Sequence, residues 1–405
     1  MQEQITPPTL LRVLNALGRG AHISGLYRFR PDLAKLQRRA QRATGLDDFG
    51  GDDFVEGMNQ AIQALRTDDI LTTTGWIAVE RSFVRALINR LLRVEEKKCT
   101  PEVFTQELNH PLLIVGLPRT GTTLLHRLLC HDEAARPLRT WELLRPIAGP
   151  GPDKRLREAQ RDIGLMKSIA PSLDLKHFVH PEEPEECSLL MDSTGVSLNY
   201  WALLPVYGYL DYFVSVDQTV AYQQYLEHLQ IFQSKTPELR LTLKAPIHTA
   251  SIGTIGRVIP NMLMVQTHRD PATVIGSVAS LLYTFHSVLA RAVDPVRLGA
   301  ATLDLLATLL DRSLDAREEL GTRVLDIYYE DLLSDPMAVV QKIYDHHDLP
   351  LTDQFRKRME AHLSERPQHR FGKHDYSLEE WGLSTEQVHK RFARYLDTFY
   401  SDRTL

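Results

Sequence analysis

Cysteine is scarce in this chain: Cys99, Cys130 and Cys187 are the only three among 405 residues. An odd count without Cys-x-x-Cys spacing argues against a disulfide framework and against the common zinc modules. An excess of positive charge is lacking too. The 47 Lys and Arg against 52 Asp and Glu leave a formal net charge of −5, so nothing in the total draws the chain to nucleic acid, although a local basic pocket is compatible with it. No apolar stretch of about 18 residues stands out, so no membrane span is expected. The start, MQEQITPPTLLRVLNALGRG, has no basic residues leading into a sustained apolar run. No secretory signal is expected there, and a soluble, reducing, cytoplasmic setting is the default.

What is present is globular material, 43% hydrophobic and 24% charged, enough for a large core. Residues 1–108 carry apolar side chains at three- and four-residue spacing and read as helical. Short apolar runs then appear at 111–117, 239–245, 262–268 and 323–329. They are separated by helical patterns at 121–130, 184–193, 219–234, 271–290, 298–319 and 336–347. Strand–helix–strand order predicts an α/β fold, a P-loop-like parallel sheet flanked by helices. The expected organisation is an N-terminal helical extension (1–108) followed by an α/β domain (109–405). Residues 146–183, rich in Pro and charge, read as loop and short helix, and STEQ (384–387) reads as a capping box.

The sequence GLPRTGTTLLHRLL (116–129) follows the first apolar run. It has the glycine spacing of a Walker A phosphate loop, and Thr123 stands at the Ser/Thr position, but Thr122 replaces the lysine. A strand, a glycine turn and a helix aim backbone N–H groups and the positive helix end at one point, which suits an anion. Gly121 permits close approach, Thr120, Thr122 and Thr123 offer hydroxyls, and Arg119 offers a fixed cation with a planar fork. Without the lysine, and without an acidic strand end nearby to hold magnesium, the loop calls for a phosphate-like group that needs no kinase metal arrangement. A second candidate anion site is THRDPATVIGSVAS (267–280). Arg269 sits at a strand end, Pro271 starts a helix, and Ser277 lies about two turns along it.

Together these motifs resemble the PAPS-dependent sulfotransferases, which use 3′-phosphoadenosine-5′-phosphosulfate, in a bacterial branch with a PRTGTT-type loop. PRTGTT resembles the family's 5′-phosphosulfate loop, with arginine in place of the lysine of the animal cytosolic enzymes. HRDP with Ser277 resembles its 3′-phosphate site. YYEDLLSDP (328–336) resembles the segment whose tyrosine, here Tyr329, lies beside the adenine. TWELL (140–144), PEEPEEC (181–187), LKAPIH (243–248), HDYSLEEWGLS (374–384) and the leader TGLDDFGGDDF (44–54) resemble further segments of that branch, so the likeness runs from about 40 to 400. The family's closing Arg-Lys-Gly is missing here, and RFGKH supplies Arg370, Gly372 and Lys373 as a candidate substitute.

The resemblance implies PAPS as co-substrate, no metal, and a small-molecule acceptor. The alternatives are a small-molecule kinase on the same loop, or a degenerate nucleotide-binding protein. Sulfuryl transfer to an alcohol needs a base for the acceptor's proton and cations for the developing charge. His248, four residues after Lys244, is the expected base. Glu142 is the expected orienting partner or alternative base, and Lys244 and Arg119 the expected charge stabilisers. PEEPEEC reads as a helix start or an acceptor-orienting group rather than a metal site, with His180 as a weaker acceptor contact. The aromatic run 198–213, with Tyr200, Trp201, Tyr207, Tyr209, Tyr212 and Phe213, is the expected wall for a lipophilic or phenolic acceptor.

Overall fold

Five short strands, all parallel, form one sheet in the computed structural model, which describes residues 9–23, 31–170, 178–365 and 377–403. They are β1 (Leu112–Gly116), β2 (Ala135–Pro137), β3 (Arg240–Lys244), β4 (Leu263–His268) and β5 (Val324–Tyr328), in the order β2-β3-β1-β4-β5. The register pairs Ile114 with Lys244 and Gly116 with Thr267. All five residues of β1 are buried, as a central parallel strand covered on both faces requires.

Alternation along the strands divides the core in two. Leu113 and Val115 of β1 join Leu241, Leu243 and Met264 in a large apolar cluster that also takes in Phe83 and Leu87 from the N-terminal helices. Leu112 and Ile114 face the other way, with Val265, Leu325 and Ile327.

Four helices lead in: α1 (Thr9–Ile23), α2 (Leu33–Thr44), α3 (Val55–Asp68) and α4 (Thr73–Cys99). After β1 comes α5 (Thr122–Leu129), then α6 (Thr140–Leu144) and α7 (Arg155–Ile169). Before β3 lie α8 (Asn199–Leu203), α9 (Tyr207–Ser215) and α10 (Thr219–Gln233). Then follow α11 (Ile252–Val258), α12 (Pro271–Leu289), α13 (Pro295–Leu320), α14 (Tyr329–Ser334), α15 (Pro336–His346), α16 (Asp353–Glu365), α17 (Thr385–Arg391) and α18 (Ala393–Phe399). An Asp-Pro pair starts α12, α13 and α15. In each the aspartate caps the helix and the proline occupies the first turn. Ser384 and Gln387 form the expected capping box at α17.

Three features depart from the expectations. Residues 155–169, read as loop and short helix, form the full-length α7. Only Ala159 and Ile163 of it are buried, so its apolar stripe is too thin to stand out. The strand β2 was not expected, being three residues long and ending at Pro137, as an edge strand can. The helix expected at 184–193 is a 3-10 helix, Cys187–Thr194, stopped by Gly195 at φ +77°. By composition α12 is long and apolar enough to cross a membrane, but most of it is buried inside the fold, which accounts for its lack of charge.

Candidate active site

Parallel sheets collect ligands at the carboxyl ends of their strands, where the chain reverses its direction of winding. Here β1 has β3 on one side and β4 on the other, and the loop 116–121 leaves its carboxyl end. Gly116 has φ +124°, and a Cβ there would lie 2.4 Å from Thr267 Oγ1 and 2.5 Å from its carbonyl. Gly121 has φ +87°, and a Cβ would lie 2.8 Å from Leu332 Cδ2. At Gly116 both conformation and space demand glycine, and at Gly121 the positive φ does. The Gly116 N–H donates to Thr249 Oγ1 (2.9 Å), which ties the loop to the segment after β3. No side chain caps α5, so its first N–H groups open toward the loop.

Thr120 is buried, and its hydroxyl bonds the Leu117 carbonyl and Thr267 Oγ1, each at 2.6 Å. It shapes the loop and leaves only its backbone N–H for an anion. Thr122 is buried at the helix start, and Thr123 is exposed. Arg119, exposed, has φ +71°, a left-handed conformation uncommon for a residue with a side chain.

The second anion motif meets the first. Arg119 Nε donates to Ser277 Oγ at 3.1 Å, and Arg269 Nη1 donates to the Arg119 carbonyl at 2.9 Å. The Arg269 guanidinium lies 4.1 Å from the centroid of the Tyr329 ring. Arg119, Arg269, Ser277 and Tyr329, scattered over more than 200 residues of sequence, thus gather on one edge of the sheet.

Behind them lies a support that the motifs gave no reason to expect. His268, buried, donates or accepts at Tyr395 Oη (3.1 Å) and pairs with Asp326 Oδ1 (2.8 Å), and its ring stacks on Phe399 at 4.1 Å. His389 bonds Asp270 Oδ1 at 2.9 Å. The C-terminal helices α17 and α18 therefore brace the residues on either side of Arg269.

At the neighbouring strand end, Lys244 is buried, with Nζ 2.9 Å from Glu186 Oε1 and 3.8 Å from Glu185 Oε1. Burial pulls its pKa down, but the two carboxylates outweigh that and hold it above the ordinary lysine value. The segment that carries them is hydrogen-bonded to the start of α6: Thr140 N–H donates to the Glu183 carbonyl (3.0 Å), and Glu185 N–H to the Leu138 carbonyl (3.1 Å).

The two expected bases sit in restrictive surroundings. His248 is fully buried, with Nδ1 2.8 Å from Tyr222 Oη and no partner for Nε2 among the described residues. Burial pushes its pKa to about 3, so it does not titrate near neutrality as expected. Glu142 is buried, ion-paired with Arg136, and accepts from the Arg139 N–H at 3.0 Å as the cap of α6. Glu186 is the more open carboxylate, its side chain 26% exposed against 9% for Glu142. It escaped selection because its Glu-Pro-Glu-Glu context also reads as a helix start.

The aromatic run is chiefly core. Tyr200, Trp201, Tyr209 and Phe213 are buried in the large cluster, and Tyr207 and Tyr212 pack against it. Arg370, Gly372 and Lys373 lie outside the described residues. His180 is exposed, its Nδ1 accepting from the Glu182 N–H at 3.3 Å. Among the described residues, no group of three or more His, Cys, Asp or Glu side chains is arranged to hold a metal ion.

Comparison with known proteins shows the family and the fold. The crystal structure of sulfotransferase STF1 from Mycobacterium tuberculosis is 30% identical with a TM-score of 0.80, covering 91% of this chain and 100% of that one. Sulfotransferase STF9 from Mycobacterium avium is 30% identical with a TM-score of 0.83, over 92% and 97%. The omega-hydroxy-beta-dihydromenaquinone-9 sulfotransferases of Mycobacterium bovis and Mycobacterium tuberculosis are each 25% identical over 327 residues, 72% of this chain and 76% of theirs. The family model described as the sulfotransferase family matches residues 111–353, from the first strand to beyond the last, and the chain belongs to that family.

Proposed function

We propose that this protein transfers a sulfuryl group from PAPS to a hydroxyl of a small lipophilic or phenolic acceptor by in-line displacement, without a metal. The observation that carries this reading is the contact chain Ser277–Arg119–Arg269, in which the loop after β1 and the start of α12 share two guanidinium groups. Two fixed cations on one edge suit a ligand with two separated phosphate groups better than a single triphosphate chain clamped by magnesium. In this reading the N–H groups of 120–123 and Arg119 hold the 5′-phosphosulfate. Arg269 and Ser277 hold the 3′-phosphate, and Tyr329 marks the adenine end.

The acceptor oxygen attacks sulfur while the bond from sulfur to the bridging 5′-phosphate oxygen breaks. The leaving adenosine 3′,5′-bisphosphate takes up the electron pair, and Lys244 and Arg119 offset its charge. The acceptor's proton needs a base. His248 would be a weak one behind its buried setting, and Glu142 is committed to Arg136 and the α6 cap. Glu186, ion-paired with Lys244 at 2.9 Å but more exposed than Glu142, is the group we assign to accept it, with His248 and Glu142 holding the surrounding segments in place.

The curated relatives are named for a hydroxylated menaquinone, which favours a lipophilic alcohol as acceptor here. The direct experiment presents labelled PAPS with a panel of long-chain alcohols, phenols and sugars. Label appearing in an alcohol or phenol product supports the reading, and transfer to none of the panel opposes it.

A further inference from the structure

One cavity among the described residues does not touch the anion loop. It is a groove of about 880 Å³ walled by α4 on one side and α7 on the other, with α8 and the end of α12 closing one end. That volume lies within the roughly 300–1,000 Å³ usual for small-molecule sites. On α4 it takes Ala78, Ser82, Arg85, Ile88 and Leu92, spaced three and four apart, so a whole helical face is turned to it. Across from them stand Leu165, Met166 and Ile169 of α7.

Two further observations make the groove more than a packing gap. Eight large apolar side chains stand exposed among the described residues. Leu14, Ile77 and Leu165 of these line the groove. Exposed apolar surface gathered in one place marks a binding surface, whereas isolated residues would not. The groove also has a polar edge that is incompletely satisfied. Arg145 pairs through Nε with Glu158 (2.8 Å) and through Nη2 with Asp162 (2.6 Å), while its Nη1 is buried with no hydrogen-bond partner among the described residues, and Arg85 reaches Asp192 only at 4.0 Å. A buried donor in that state calls for an oxygen acceptor.

The groove is tied to the transfer site by two short elements. Arg145 follows α6 directly, and the start of α6 is bonded to the Glu183–Glu185 segment. Asp192 sits on the 3-10 helix that begins immediately after Glu186. At about 2 Å per residue, Asp192 lies roughly 10–12 Å from Glu186 along that helix.

We propose that this groove binds the apolar chain of a long, single-chain lipid alcohol, with a second oxygen of the lipid, other than its reacting hydroxyl, meeting Arg145. The identity of that lipid as the acceptor rests on the sulfotransfer reading; the chain-binding groove does not. An acceptor seated this way is elongated, with its reacting hydroxyl about 10 Å or more from the enclosed chain.

The test titrates the full chain with cis-parinaric acid, a fluorescent long-chain probe, below its aggregation concentration. Saturable one-to-one binding is expected, displaced by a long-chain alcohol and not by a short one. Ala78→Trp, which fills the groove from the α4 wall, should weaken binding at least tenfold. Leu165→Asp, at an exposed rim position that tolerates charge, should weaken it several-fold. Both variants should keep the wild-type melting temperature and adenosine 3′,5′-bisphosphate affinity. Absence of saturable binding overturns the proposal, as does wild-type affinity in folded Ala78→Trp. Association only with lipid vesicles, or only with a second copy of the chain, would make the face a docking surface and also overturn it. Probe binding that follows the variants while no alcohol is sulfated leaves the groove standing and counts against the sulfotransfer reading alone.

Discussion

Arg119 Nε and Ser277 Oγ lie 3.1 Å apart, joining a loop after the first strand to a helix 158 residues further along the chain. The proposed phosphosulfate and 3′-phosphate sites are therefore one electrostatic unit. Arg119→Ala should lower adenosine 3′,5′-bisphosphate affinity by roughly ten- to a hundredfold, the loss of a charged contact worth about 1.5–3 kcal/mol. Arg119→Gly should lose the same affinity yet gain stability, because glycine relieves the left-handed backbone at φ +71°. Binding by calorimetry and melting temperature on both variants separates charge from strain.

Arg269 places its guanidinium over the Tyr329 ring and a hydrogen bond on the Arg119 carbonyl. Arg269→Lys keeps the charge but loses the planar fork and the stacking, so it should recover only part of the affinity lost in Arg269→Ala. Equal affinity for Lys and wild type would mean that the planar geometry carries nothing.

Glu186→Gln should cut turnover by about 10²–10⁴-fold while the bisphosphate still binds, as expected for loss of a general base. Glu142→Gln should instead cost about 1 kcal/mol of stability through the α6 cap and the Arg136 pair. His248→Ala decides between them. If it abolishes turnover in a folded protein whose Glu186→Gln counterpart remains active, the proton goes to the histidine.

His126, His248 and His286 are buried, and burial lowers their pKa values to about 3, about 3 and about 4. Unfolded, each takes a proton near pH 6.5. Below that pH the unfolded chain binds protons that the folded chain refuses, so stability falls as pH drops, by up to about 1.4 kcal/mol per histidine per unit. The melting temperature should decline from pH 7 to pH 5.5, less steeply in His286→Gln. A flat profile over that range would contradict the assignment.

Much of this was legible because the signals were local. The strands at 112–116, 240–244, 263–268 and 324–328 are apolar runs bounded by turns. The loop's glycines follow from a backbone requirement that admits almost nothing else. Pairing between distant elements was not legible. That Arg119 meets Ser277, or that His389 braces Asp270, depends on the packing of α12 and α17. In the aromatic run at 198–213 core and binding walls share one composition: most of it packs in the core, while Tyr200 also lines the groove beside α4. The burial that lowers the pKa of His248 comes from packing against Tyr222 and Tyr225 of α10, a contact between elements that the sequence around His248 does not show.

The central claim, binding of a bisphosphorylated adenosine by two arginine-bearing anion sites without metal, is tested most directly by calorimetry with adenosine 3′,5′-bisphosphate in EDTA. The account predicts one-to-one binding to the wild type that is weakened roughly ten- to a hundredfold in Arg269→Ala. No binding in EDTA, together with magnesium-dependent binding of ATP, would contradict it.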